Sequence, residues 1–177
     1  MDLKDVELRL ISELMKNSRR SDRELATSLK SSQPTVSRVR KKIQKEGYIR
    51  EFTAIPDFRK LGFELAAITL VKLKTLSQEE LKKAREITAK NMKEKEPDEI
   101  VLFCRGMGRG YDGVIVSFHR NYSDFTRLLN SIKEYPFVDV SGTLDFIIDL
   151  NDQNQPRNLT FSTLARYLLT SRKQEKE

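Results

Sequence analysis

The chain holds one cysteine, one histidine and no tryptophan among its 177 residues. A single thiol, Cys104, cannot close an intrachain disulfide, which excludes a cystine-stapled secreted scaffold and suits a reducing cytoplasm. One imidazole and one thiol are also too few for a His/Cys metal cluster or a His-activated nucleophile. Cys104 is expected inside an apolar strand as a small core residue, and His119, beside Arg120, as a structural or surface residue. Long hydrophobic runs are missing too. Leu65 to Val71 is the longest uncharged apolar stretch, far below the ~20 residues that span a bilayer. The opening MDLKDVE is too acidic and polar for a signal peptide. No catalytic residue, cofactor, metal or membrane is expected, and the placement is cytoplasmic. Glycine is scarce, and four of its seven copies lie between Gly106 and Gly113. That stretch lacks the Gly-Lys-Ser/Thr of a phosphate loop and has no helix after it, so a hairpin loop is the favoured reading and a small-ligand contact the minor one.

Charge, by contrast, is abundant and uneven. Lys and Arg number 33 against 26 acids, a net of +7. Residues 1–60 carry 15 cations and 9 acids, while residues 61–177 carry 18 and 17, so nearly all the surplus lies in the first third. One end is therefore built to meet a polyanion while the other does different work.

Within the basic third, Val6, Leu10, Ile11 and Leu14 recur at helical spacing between Asp5 and Lys16. Ser21-Asp22-Arg23-Glu24 forms a capping box that opens a second, short helix with Leu25, Ala26 and Leu29 inward. Ser31 or Ser32 then caps a third helix, Pro34 falls in its first turn, and Gly47 stops it. Val36, Val39 and Ile43 make its apolar stripe. Its first turns offer Gln33, Pro34, Thr35 and Ser37, and its later turns offer cations. Three short helices with a tight second connection make a helix-turn-helix. In that motif Gln33, Pro34, Thr35, Ser37 and Arg38 suit base edges in a major groove, and Arg40, Lys41, Lys42, Lys45 and Arg50 suit phosphates. Tyr48 to Thr53 reads as extended, a short wing or linker strand.

The stretch ISELMKNSRRSDRELATSLKSSQPTVSRVRKKIQKEGYIREFTAIPDFRKLGF resembles the N-terminal half of the Lrp/AsnC (feast/famine) transcriptional regulators. The likeness rests on Thr35-Val36-Ser37-Arg38, on the exit Glu46-Gly47-Tyr48-Ile49 and on the linker Phe52 to Ile55. It implies a DNA-binding dimer whose two recognition helices enter successive major grooves.

Beyond Leu61 the pattern changes. Phe63 to Lys74 reads as a mostly buried strand. Ser77-Gln78-Glu79-Glu80 caps a charged helix that runs to about Lys95. Glu99 to Arg105 and Val114 to Phe118 are strands joined by Gly106 to Gly113, Tyr122 to Tyr135 is a helix, and Val138 to Leu150 is a last strand, bent near Gly142. The order β-α-β-β-α-β is ferredoxin-like. Its helices cover one sheet face and leave the other for a partner, so a homodimer through this sheet is expected, with higher oligomers open. The family resemblance implies the same fold and dimer and an amino-acid effector near the second turn. Gly108, Gly110, Tyr111 and Asp112 are the corresponding residues, although the turn is one residue longer than the family's. Pro156 to Leu169 forms a further helix that covers a sheet edge or blocks higher assembly, and Ser171 to Glu177 is a charged, disordered tail.

The expected class is thus α+β. Residues 1–50 form a winged helix-turn-helix, 51–61 a linker strand, 62–150 a ferredoxin-like dimerisation and effector domain, and 151–177 an added helix and tail. The expected function is sequence-specific binding of double-stranded DNA in transcriptional control, tuned by an amino acid or other small molecule. The alternatives are a ferredoxin-like sensor or assembly protein with a basic accessory head, and a non-specific architectural DNA binder.

Overall fold

The computed structural model describes residues 3–75, 77–80, 82–83, 86–87, 97–135 and 137–174. The chain divides into two compact units. The terminal unit joins Met1–Ile55 to Pro156–Glu177, and the central unit is Pro56–Gln155.

In the terminal unit, α1 (Asp5–Lys16), α2 (Asp22–Leu29) and α3 (Gln33–Lys45) fold around one core. Leu10, Leu14, Leu25, Leu29, Val36, Val39 and Ile43 are buried there, each worth about 1.5–3 kcal/mol of apolar burial. Local chemistry sets the boundaries. Ser21 Oγ accepts from the Glu24 N–H while Glu24 accepts from the Ser21 N–H, the reciprocal pair expected from the sequence. Ser32, not Ser31, caps α3 by accepting from the Thr35 N–H. Gly47, at φ +75°, ends α3, and the Tyr48 N–H reaches back to the Ile43 carbonyl at 2.9 Å. That is a Schellman closure, where only glycine escapes the left-handed penalty. No strand forms over 51–57 within the single chain. The expected wing or linker strand finds no neighbouring edge to bond, and a 3₁₀ turn, Phe58–Leu61, follows.

A last helix, α5 (Ser162–Gln174), belongs to the terminal unit and packs on α1. It begins six residues later than its expected start at Pro156. Leu159 and Phe161, which fall within the expected range of that helix, precede it and are exposed. Its backbone stays helical to Gln174, so the expected disordered tail is helix over 171–174.

The central unit is a four-stranded antiparallel sheet, β1 (Leu65–Leu73), β2 (Ile100–Gly108), β3 (Tyr111–His119) and β4 (Val138–Asp149), in the order β2-β3-β1-β4. Helix α4 (Tyr122–Lys133) lies between β3 and β4 in the chain. Its Leu128 and Ile132 join Val71, Ile115 and Val138 in a second core. Between β1 and β2 the described residues from 78 to 87 are helical, and Ser77 and Glu80 exchange the expected capping bonds. The rest of that expected helix lies outside the described residues. This is the ferredoxin-like plan read from the sequence.

Two readings change here. The glycine-rich stretch is strand rather than loop. Gly108 pairs with Tyr111, so only Arg109 and Gly110, at φ 48° and 82°, form the turn. Two consecutive left-handed residues are what a tight two-residue hairpin needs. Cys104 is exposed, not buried, like every residue of β2 from Val101 to Gly108, because β2 is an edge strand with a neighbour on one side only among the described residues. The bend near Gly142 is present as a register shift between β1 and β4. A Cβ on Gly142 would sit 2.5 Å from the Lys72 Cβ, so glycine is required there by contact.

Candidate nucleic-acid interface

Helix α3 presents an outer face that no element among the described residues covers. Gln33, Pro34, Arg38, Lys41, Lys45 and Arg50 are exposed, and Thr35 and Ser37 are half-buried. Arg38, Lys41 and Lys45 follow one another at three- and four-residue steps, which places them in one stripe. Among the described residues none of these cations, nor Arg50, has an ion pair. The Thr35 hydroxyl is shared with the Ser32 hydroxyl at 2.8 Å, so it belongs partly to the helix cap.

Arg40 and Lys42, also expected on phosphates, are tied by ion pairs within the protein, Arg40 half-buried and Lys42 still exposed. Arg40 Nε lies 3.0 Å from Asp22 Oδ1, and its Nη2 donates to the Arg20 carbonyl at 2.9 Å. The otherwise unpartnered buried atoms of Arg40 and Asp22 thus face each other as an ion pair. Lys42 Nζ donates to Glu7 Oε1 at 2.7 Å. Glu7 is only 3% exposed, and its other oxygen accepts from the Lys4 N–H at 2.7 Å. The Lys42 hydrogen bond, then the Lys4 amide, holds the Glu7 carboxyl below its ordinary pKa against the opposing effect of burial. A third carboxylate, Glu13, takes Lys16, Arg20 and the Ser28 hydroxyl, and its pKa is likewise lowered, chiefly by Lys16.

These ties were missed in the sequence, yet a signal was there. Arg40 completes the spacing Val36, Val39, Arg40, Ile43, and Glu7 completes Leu3, Glu7, Leu10, Leu14. Both occupy the flank of a buried stripe, where a charge needs a partner.

In the central unit the candidate effector residues separate. Gly108 and Tyr111 line a cavity of about 350 Å³ with Leu70, Met107, Val114 and Leu144, and Gly110 and Asp112 are not among its walls. Asp112 instead accepts the Leu73 N–H at 2.8 Å, where β1 leaves its register with β4. Beside the cavity, the row Leu102-Val116-Ile68-Phe146 crosses the sheet face opposite α4, which no element among the described residues covers. Phe146 is 66% exposed and Leu102 47%. His119 lies on the other face, fully buried and bonded to the Ser117 hydroxyl at 2.8 Å. Among the described residues no group of His, Cys, Asp and Glu could hold a metal ion, and no helix is long and apolar enough to cross a membrane.

A basic, uncovered third helix of a helix-turn-helix, carried with an antiparallel α+β unit, defines a DNA-binding regulator of two parts. Comparison with known proteins agrees. Residues 3–50 match the winged helix-turn-helix DNA-binding family. The chain is 31% identical over 138 residues to the HTH-type transcriptional regulator Ptr1 of Methanocaldococcus jannaschii, covering 77% of this chain and 85% of that protein. Escherichia coli AsnC shares the fold at a TM-score of 0.65 and 19% identity, covering 90% of this chain and 99% of AsnC. The L-Met complex of a Neisseria meningitidis transcriptional regulator does so at 0.69 and 19%, covering 92% and 99%. The chain belongs to the Lrp/AsnC family of transcriptional regulators.

Proposed function

We propose that the protein is a sequence-specific, double-stranded DNA-binding transcriptional regulator that works as a homodimer. The observation that carries this reading is the stripe of unpaired cations, Arg38, Lys41 and Lys45, behind the small and amide groups of Gln33, Pro34 and Ser37 on the exposed face of α3. The Gln33 amide offers a donor and an acceptor to base edges and the Arg38 guanidinium offers donors, and Thr35 and Ser37 can approach closely. Lys41, Lys45 and Arg50 neutralise phosphates. Arg40 and Lys42 are reassigned from phosphate contact to holding α3 in place. The cytoplasmic placement expected from the sequence goes with this reading.

The uncovered row on the central sheet supports the dimer. A solvent-facing apolar band of that kind favours burial against a second copy through a two-fold axis. Phe146→Lys should convert dimers to monomers in sedimentation at micromolar concentration, and an unchanged sedimentation coefficient would remove the sheet from the interface. A small apolar amino acid is the proposed effector class, bound at the cavity beside Gly108 and Tyr111. Support comes from the cavity's apolar lining and from the methionine in the Neisseria complex, which shares this fold.

Selection from a random duplex library at two salt concentrations tests the main reading. A palindromic motif that persists at the higher salt is expected. Enrichment of no motif, with binding lost as salt rises, would leave a non-specific binder.

A further inference from the structure

Helix α1 is buried on two sides, and the helix-turn-helix accounts for one of them. Val6, Leu10 and Leu14 pack toward α2 and α3. Leu8 and Ser12 stand on the opposite side of the helix, about 160° from Leu10 in either direction, yet they are 1% and 0% exposed. Helix α5 packs on α1, and Ser12 meets it directly. The Ser12 hydroxyl donates to the Ala165 carbonyl at 2.8 Å, and Ala165 is itself fully buried. Two small residues at the crossing let the two helices come close.

Two further observations give this contact a consequence. The buried residues on that side of α1 adjoin the carboxylates that hold the rest of the head. Glu7, next to Leu8, binds Lys42 of α3, and Glu13, next to Ser12, binds Arg20 and the Ser28 hydroxyl. A shift of α1 therefore moves the ties that orient α3. The chain also leaves the terminal unit after Ile55 and returns at Pro156. Both crossings, through Phe52 and Ile55 on the way out and Phe161 on the way back, line one cavity of about 590 Å³ against Met15 of α1.

We propose that α5 is a positioning brace for DNA recognition: by holding the back of α1 through Ser12 and Ala165, the C-terminal segment sets how α3 is presented to the duplex. This rests on the DNA-binding reading above. It makes the C-terminal helix part of the recognition module, although it lies some 120 residues from α3 in the sequence.

The test uses the full chain with Ser12→Cys and Ala165→Cys in a Cys104→Ser background, and a second chain ending at Gln155. Amide exchange in α1 is measured with and without reductant. Affinity for the selected motif and for unrelated duplex is measured well below the melting midpoint, where the folded fraction is constant. Oxidation within one chain should raise α1 protection and preserve motif affinity, and reductant should reverse the protection. The shortened chain should lose α1 protection and bind the motif on the order of tenfold more weakly, with its affinity for unrelated duplex and its salt slope unchanged. That loss of discrimination is what positioning predicts, and simple loss of folded protein would weaken both duplexes alike. Wild-type α1 protection and motif affinity in the shortened chain would overturn the brace, as would a disulfide that links two chains instead of one. If wild type selects no motif, the DNA reading fails by itself, and the α1 exchange still reports whether α5 braces α1.

Discussion

Two sets of cations ride on α3. Arg38, Lys41 and Lys45 reach solvent with no ion pair among the described residues, whereas Arg40 and Lys42 are held by ion pairs to Asp22 and Glu7. Residue type and sequence neighbourhood are the same, and angular position alone separates them. Arg40 lies four residues after Val36 and three before Ile43, at the margin of the buried stripe, and its guanidinium holds two groups at once, the Asp22 carboxylate and the Arg20 carbonyl. Arg38 lies near the middle of the exposed face. A count of positive charge on a recognition helix therefore overstates what is offered to DNA.

Exchanging the two arginines for alanine tests that separation most directly. Arg38→Ala should cost about 1–3 kcal/mol on the cognate site and relax specificity at one position, with the melting midpoint unchanged. Arg40→Ala should do the reverse. It leaves the Asp22 carboxylate without its partner in a half-buried position, at about 1–3 kcal/mol of stability. Denaturant titration and DNA titration of both variants check this. If Arg40→Ala loses affinity with full stability, Arg40 touches DNA and the division fails.

The lysines give a subtler version with a pH signature. Lys41→Ala should lower affinity for every duplex and reduce the salt slope by about 0.9, with stability intact. Lys42→Ala should lower stability, because Glu7 is almost fully buried and would keep a carboxylate with only the Lys4 amide to hold it. Since pairing depresses the folded pKa of Glu7 below 4.5, its contribution is fully present above about pH 4.5 and is lost as pH falls through the folded value. Wild type should thus lose stability on acidification in that window, and Lys42→Ala should lose less there. The central unit has a different window. Burial lowers the pKa of His119 below 6.5, so its contribution is complete above about pH 6.5 and declines as pH falls through its folded value. Parallel acid melts of wild type and Lys42→Ala, followed by probes in each unit, would distinguish the two. Identical acid limbs would show that the Glu7 pair contributes nothing.

Much of this was legible in the chain, and what was not has physical reasons. Helix α1, the Ser21/Glu24 box, the Ser32 cap, Pro34, the Gly47 stop and the α3 core stripe are local features, fixed by spacing and by groups within a few residues of one another. The strand order could be anticipated because β-α-β-β-α-β has few ways to pack. The tight hairpin at Arg109-Gly110 was hidden by glycines on either side that are strand residues, so composition pointed to a loop. Cys104 was misread because an apolar strand looks the same in sequence whether it lies at the centre of a sheet or at its edge. Leu8 and Ser12 were overlooked because the far side of α1 has a use only once residue 165 returns to it. The sites divide the same way. Exposed cations on α3 could be read from periodicity, but which of them are already taken depends on Glu7 and Asp22, elements away.

The smallest effect concerns the turn that places α3. Lys30 ends α2 at φ 52°, ψ 50°, left-handed without being glycine. The Ser31 N–H still closes back to the Ala26 carbonyl at 2.9 Å, so the Schellman-type closure that Gly47 gives α3 is made here by a lysine. A left-handed L-residue costs about 1–2 kcal/mol, and glycine's extra unfolded-state entropy returns about 0.5–1 of that. Lys30→Gly should therefore stabilise the head by about 0.5–1 kcal/mol. Such an exchange also removes an exposed cation beside the recognition helix. If Lys30 touches a phosphate, the stabilised variant should bind all duplexes more weakly with a shallower salt slope. If it does not, affinity should stay constant while the denaturation midpoint rises, and the strain at Lys30 would have no counterpart in binding.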